Sequence, residues 1–130
     1  MSQRPPFGIC LPVEFRRCRD GDTVEVGIAG GAFVWAVRLL DCWAPEMSGE
    51  EGRLAKHYAE KMMEQCVRPV LWLPITGGTH NLLASFLSFD RLLGHIFLSE
   101  NMTLSEAMVQ AGHASKEKPT KTKEAANDRV

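Results

Sequence analysis

Asp20-Gly21-Asp22-Thr23-Val24-Glu25-Val26-Gly27-Ile28 decides how this chain folds. Asp-Gly is a strong hairpin signal, because a two-residue turn needs the positive φ that these residues tolerate. Val24, Val26 and Ile28 then recur at every second position, the period of a strand with one buried face. Upstream, Val13 to Arg19 alternates too, with Val13, Phe15 and Arg17 on one face and Glu14, Arg16 and Cys18 on the other. Downstream, Ala29-Gly30-Gly31-Ala32 turns the chain again, and Phe33 to Leu40 forms a third strand, apolar on both faces except at Arg38. Three strands joined by short turns make a β-meander.

The period then changes. Ser48 and Glu51 have the spacing of a capping box. Ala55, Tyr58, Ala59, Met62, Met63 and Cys66 mark one face of a helix that runs to about Cys66. Val67 to Leu73 returns to strand, closed by Pro74. Thr76-Gly77-Gly78-Thr79-His80-Asn81 reads as a polar loop, and Leu82 to Phe89 as either packed loop or strand. Leu92 to Leu98 is the fifth strand. Thr103 and Glu106 supply a second capping box, Leu104, Ala107, Met108 and Ala111 follow at helical spacing, and Gly112 stops the helix. The order βββ-α-ββ-α is that of a mainly β, α+β domain, and five strands arranged so suit a small OB-type barrel. Residues 1–12 are expected as a lead-in, 13–114 as the domain, and 115–130 as a polar, flexible tail.

At 130 residues the chain is long enough for one domain with a real core. The net charge of −1 supplies no global positive field, so a polyanion must be caught locally by a few placed arginines. Cys10, Cys18, Cys42 and Cys66 show no zinc-binding spacing and are expected as free, mostly buried thiols. The first residues lack the apolar stretch of a signal peptide, and no run has membrane-spanning length. The expectation is a soluble, cytoplasmic protein with no membrane contact and no obligate protein partner.

Arg38 is the anomaly in this pattern. A guanidinium among Val34, Trp35, Val37, Leu39 and Leu40 calls for an anion, and Glu46 follows eight residues later behind Pro45. Phosphodiester hydrolysis needs an activated water, positive groups on the phosphate oxygens, and neutralisation of the leaving oxygen. Arginine's planar fork suits the second need and a fixed glutamate the first. Each piece alone has a plainer reading. Asp20 to Thr23 can be only a turn, Arg38 a strand arginine paired with any carboxylate, and Glu46 a charge ahead of a helix.

Together they resemble the thermonuclease family, the staphylococcal-nuclease-like domains. The likeness lies in Arg19-Asp20-Gly21-Asp22-Thr23-Val24, in Val37-Arg38-Leu39-Leu40 through Pro45-Glu46, and in Arg91-Leu92-Leu93-Gly94 with Thr103 through Gly112. It implies an OB barrel with flanking helices and Ca²⁺-dependent cleavage of DNA and RNA to 3′-phosphate and 5′-hydroxyl ends. Under that resemblance Arg38 and Arg91 clamp the phosphate, Glu46 is the base and Asp22 a calcium ligand. The family's second calcium aspartate falls on Trp43. Asp41, two residues earlier on the same strand face and about 6.6 Å away, is the substitute ligand. Trp43 reads either as a packed strand-end aromatic or as a base-stacking platform for nucleic acid. The rival function is a non-catalytic OB module that binds nucleic acid or protein after losing metal competence. Of the histidines, His95 alone is close enough to Arg91 along its strand to watch.

Overall fold

The computed structural model describes residues 8–74, 87–88 and 91–118. The expected loop at 76–81, the ambiguous run at 82–86, Asp90 beside Arg91, and the tail beyond residue 118 lie outside the described residues. Within them the chain forms β1 (Gly8–Pro12), β2 (Glu14–Asp20), β3 (Thr23–Ile28), β4 (Phe33–Leu39), α1 (Glu50–Gln65) and β5 (Val70–Pro74). After these come β6 (Leu87–Ser88), β7 (Arg91–Ser99), β8 (Met102–Thr103) and α2 (Leu104–Gln110). Among the described residues the fold is mainly β with two helices, as the α+β expectation has it.

The strands form one open sheet in the order β1-β5-β7-β4-β3-β2, with β6 and β8 added alongside β7. The expectation of five strands is therefore corrected. The stretch read as lead-in plus first strand is two strands, β1 on β5 and β2 on β3, with only Val13 between them. Val13 donates its N–H to the Pro69 carbonyl at 3.0 Å instead of to a ladder partner, which marks the bend. The sheet's two end strands are thus consecutive in the chain.

A second correction concerns β2. Register shifts between Phe15 and Arg17 and between Cys18 and Asp20 break its strict alternation. An extra residue in a strand flips the faces of those that follow. Cys18 is accordingly buried while Arg17 is exposed and pairs with Glu25 at 3.0 Å. The meander itself is as read: β3 pairs with β4 from Thr23↔Arg38 to Ile28↔Phe33, antiparallel and in register.

Val24, Val26, Val37, Leu39, Leu71, Leu92 and Ile96 fill the core with Leu104 and Met108 of α2. α1 packs across β2 and α2 and buries Gly52, Ala55, Ala59 and Met63, one face at helical spacing. Its N-cap is Gly49 with no side-chain bond, so the Ser48 capping box does not form. The second box does form: Thr103 Oγ1 accepts from the Glu106 N–H at 3.0 Å, and Glu106 Oε1 from the Thr103 N–H at 3.0 Å. α2 ends as expected, with Gly112 at φ 82 and the His113 N–H bonded to the Met108 carbonyl at 2.9 Å.

The four cysteines are free, but only Cys18 and Cys42 are fully buried, and burial pushes both thiols up to about 12, far from a reactive range. Among the described residues no helix is long and apolar enough to cross a membrane.

Candidate functional site

Four short segments meet where the β2–β3 turn approaches the end of β4. Asp22 sits in the turn; its N–H bonds to Asp20 Oδ1 at 3.0 Å, which fixes the turn locally. The Asp22 carbonyl accepts from the Leu39 N–H at 2.9 Å, tying the turn to the last residue of β4. Its carboxylate reaches further. Oδ2 accepts from the Ala44 N–H at 3.1 Å and stands 3.5 Å from Arg38 Nη2. Arg38 and Asp22, expected as a phosphate clamp and a calcium ligand, lie against each other, and their side chains are only 12% and 14% exposed.

Arg38 does more than pair. Its Nη1 donates to the carbonyls of Leu39 and Cys42, the latter at 2.8 Å, so the guanidinium wraps the chain that turns out of β4. Its Cζ lies 4.4 Å from the centre of the Trp43 ring. Arg91 enters from β7, which runs parallel to β4 with Ala36 opposite Arg91. Its Nη1 lies 3.4 Å from Thr23 Oγ1, and Thr23 in turn donates to Asp22 Oδ1 at 3.4 Å. Both arginines therefore converge on the Asp22–Thr23 corner. Thr23, fully interior and absent from the expected site, is the residue they share; only the pairing of β3 between β2 and β4 reveals it.

Glu46 is exposed and, among the described residues, makes no ion pair. Its backbone is fixed all the same. The loop from Leu40 to Glu46 is pinned by Leu40 N–H to the Gly94 carbonyl at 2.9 Å and by Ser105 Oγ to the Leu40 carbonyl at 2.6 Å. Trp43 and Ser115 exchange two backbone bonds, at 2.7 and 3.0 Å, and Ala44 hangs on Asp22. A side chain on Gly52 of α1 would strike the Glu46 carbonyl, and one on Gly21 would strike Ala44 and Ala55. Two glycines thus let helix, turn and loop close up around the glutamate. Sequence reading missed Ser105 and Ser115 because each acts across a long separation, and Gly52 because its role is a close backbone approach that no side-chain pattern marks.

Asp41 departs from its expected role. β4 ends at Leu39, so Asp41 belongs to a turn, at φ 56, and shares no strand face with Trp43. Its carboxylate, 57% exposed, lies 3.5 Å from His95 Nε2. Burial lowers the His95 pKa, against the pull of that carboxylate. His95 is a packed residue beside Trp72, with ring centres 6.3 Å apart.

A calcium ion takes six to eight oxygen ligands. The Asp22–Asp41 pair does not fit one. Asp41 is turned to His95, and Asp22 already accepts from Ala44 and Thr23 with a guanidinium alongside. Among the described residues no group of three or more His, Cys, Asp and Glu gathers that could hold a metal ion.

Burial, helped by the neighbouring Asp20 carboxyl, pushes the Asp22 pKa up to about 6 despite the Ala44 N–H and Arg38. A carboxyl with a raised pKa holds its proton more tightly in the fold than in the unfolded chain. Its contribution to stability is present below about pH 4 and is lost as the pH rises through about 6. Asp22→Asn keeps an acceptor for Ala44 and removes that titration. Relative to the variant, the wild type is expected to lose on the order of 2–3 kcal/mol between pH 4 and pH 7.5. Urea unfolding of both proteins at the two pH values reads this; an unchanged difference refutes the assignment.

A cavity of about 590 Å³ opens beside Glu46, between the Trp43–Glu46 loop and the chain after α2. No family model and no curated protein matches this chain.

Proposed function

We propose that the protein is a phosphodiesterase acting on nucleic acid, on a barrel of the OB type. The support for the barrel is the bend at Val13: β1 and β2 together act as one first strand that pairs with β5 through its first half and with β3 through its second. A first strand shared between the two ends of the order is what an OB-type barrel requires.

The single observation that carries the activity is the convergence of Arg38 and Arg91 on the Asp22–Thr23 corner, with Glu46 on a loop hung from Asp22. Arg91 offers its fork to the non-bridging oxygens of a phosphate, and Arg38 on the adjacent parallel strand, held by Leu39, Cys42 and Asp22, adds positive charge beside it. Glu46 takes a proton from water as the water oxygen attacks phosphorus, and the bond to the 5′-oxygen breaks. The departing oxygen is protonated from solvent, leaving 3′-phosphate and 5′-hydroxyl ends.

Digestion of single-stranded DNA in EDTA, Mg²⁺ and Ca²⁺ tests this, with Arg91→Ala as comparison. The expected result is wild-type cleavage that falls about 10²-fold in the variant. Absence of cleavage under all three conditions sinks the reading.

One observation favours a second reading, a non-catalytic binding module. Arg38 spends its fork on its own chain's carbonyls and lies against Trp43, the residue at the position of a metal aspartate in the family this sequence resembles. Tight binding of single strands that weakens steeply with salt, with no hydrolysis, selects that reading.

A further inference from the structure

The cavity beside Glu46 is not used by the phosphate chemistry, yet its walls are built. Its volume of about 590 Å³ lies within the roughly 300–1,000 Å³ of sites that enclose small organic ligands. Trp43, Pro45 and Glu46 form one wall, and His113, Ser115 and Lys118 the other. The paired backbone bonds between Trp43 and Ser115 join the two walls. The far wall is braced on α1, where the Tyr58 and His113 rings pack 4.8 Å apart. The chain after Ser115, expected as free tail, begins as part of this structure.

The chemistry of the lining is specific. The Trp43 indole is 37% exposed, with Arg38 Cζ 4.4 Å and Lys118 Nζ 5.6 Å from its ring centre. Both cations lie over the ring, Arg38 closely and Lys118 more loosely, so a flat π-system that carries an anion reaches the indole by taking the place of Lys118. Resting on the phosphate site proposed above, we infer that this cavity receives one unpaired nucleobase of a single strand, stacked on Trp43. Lys118 then meets a phosphate of that nucleotide while the neighbouring phosphate lies at Arg38 and Arg91. Lys118 is exposed, so it exchanges a weak contact with the ring for a phosphate without unfolding anything. A base inside a duplex cannot enter, because its faces are already stacked. The substrate class is therefore single-stranded DNA or RNA.

Binding is measured by fluorescence anisotropy with a hydrolysis-resistant phosphorothioate octathymidylate and with an octamer of abasic sites. Trp43→Ala is expected to weaken the base-bearing strand about 10- to 100-fold and the abasic strand less than about threefold. Trp43→Phe is expected to restore most of the loss. Lys118→Ala is expected to weaken both strands and lower the salt slope by about one phosphate contact. The inference is overturned if Trp43→Ala leaves octathymidylate binding unchanged, or weakens the abasic strand as much. Equal affinity for a duplex of the same length overturns it too. If Trp43→Ala does not fold, the wild-type gap between the two octamers decides, and no gap overturns the inference. Cleavage is not the readout, so a protein that grips a base but cuts nothing keeps this site and loses only the hydrolase.

Discussion

Glu46→Gln is expected to lower the rate of single-strand cleavage by about 10²–10⁴-fold while changing unfolding stability by less than about 0.5 kcal/mol. The two halves of that result follow from separate features. Glutamine has the shape of glutamate but cannot accept a proton from the attacking water. Glu46 is exposed, so replacing its carboxylate buries no unpaired charge. The loop that carries it is held by backbone atoms and by other side chains: Ala44 on Asp22, Trp43 on Ser115, and Leu40 on Gly94 and Ser105. The Glu46 carbonyl accepts from the Gly49 N–H at 3.3 Å, a bond that Gln keeps. Initial rates on labelled single strands, with urea unfolding on the same preparations, separate the two effects. An unchanged rate removes Glu46 as the base. A large loss of stability would instead make it a structural residue whose activity phenotype says nothing about chemistry.

Local periodicity is enough to read the meander, the buried face of α1, and both ends of α2. Those features depend on residues within a turn or two of one another. The same logic fails wherever one inserted residue or one distant contact decides the outcome. A bulge in β2 turns Cys18 inward and Arg17 outward, and alternation carries no mark of it. β4 stops at Leu39, Asp41 takes a φ of 56, and Ser105, 65 positions from Leu40, holds the Leu40 carbonyl, so Asp41 leaves the face that strand geometry assigns it. The site shows the same division. Asp22 and Arg38 are legible as a carboxylate and an out-of-place cation, and they do meet. That the arginine also clasps two carbonyls of its own chain, that Thr23 joins it to Arg91, and that Ser115 forms the wall opposite Trp43 are consequences of packing. The last two join residues more than sixty positions apart, and the first, though it lies within five residues, depends on the turn that follows β4.

Arg38→Ala is expected to destabilise the fold by about 3–5 kcal/mol, a large part of what a domain of this size possesses. A residue reserved for substrate would be nearly silent in stability, whereas this one has three structural duties. Its loss leaves Asp22, 14% exposed, without its cation. It leaves the Leu39 and Cys42 carbonyls without a donor and takes the guanidinium from the Trp43 ring. Alanine offers no replacement, and Lys cannot reproduce a fork that spans two carbonyls and a carboxylate. The pH dependence shows which of these three losses costs the most. Arg38 is among the influences that hold the Asp22 pKa down, so its removal lets burial raise that pKa beyond about 6. The cost of an unpaired carboxylate is then greatest at the higher pH and falls as Asp22 takes up a proton on acidification. Urea unfolding at pH 8 and pH 4.5 should therefore give a larger wild-type-to-variant difference at the higher pH. Adding Asp22→Asn to Arg38→Ala should recover about 1–2 kcal/mol at pH 8, because the stranded charge is gone while the Ala44 bond remains. A difference that is flat with pH, with no recovery in the double variant, would place the cost in the two carbonyls and the indole rather than in the ion pair.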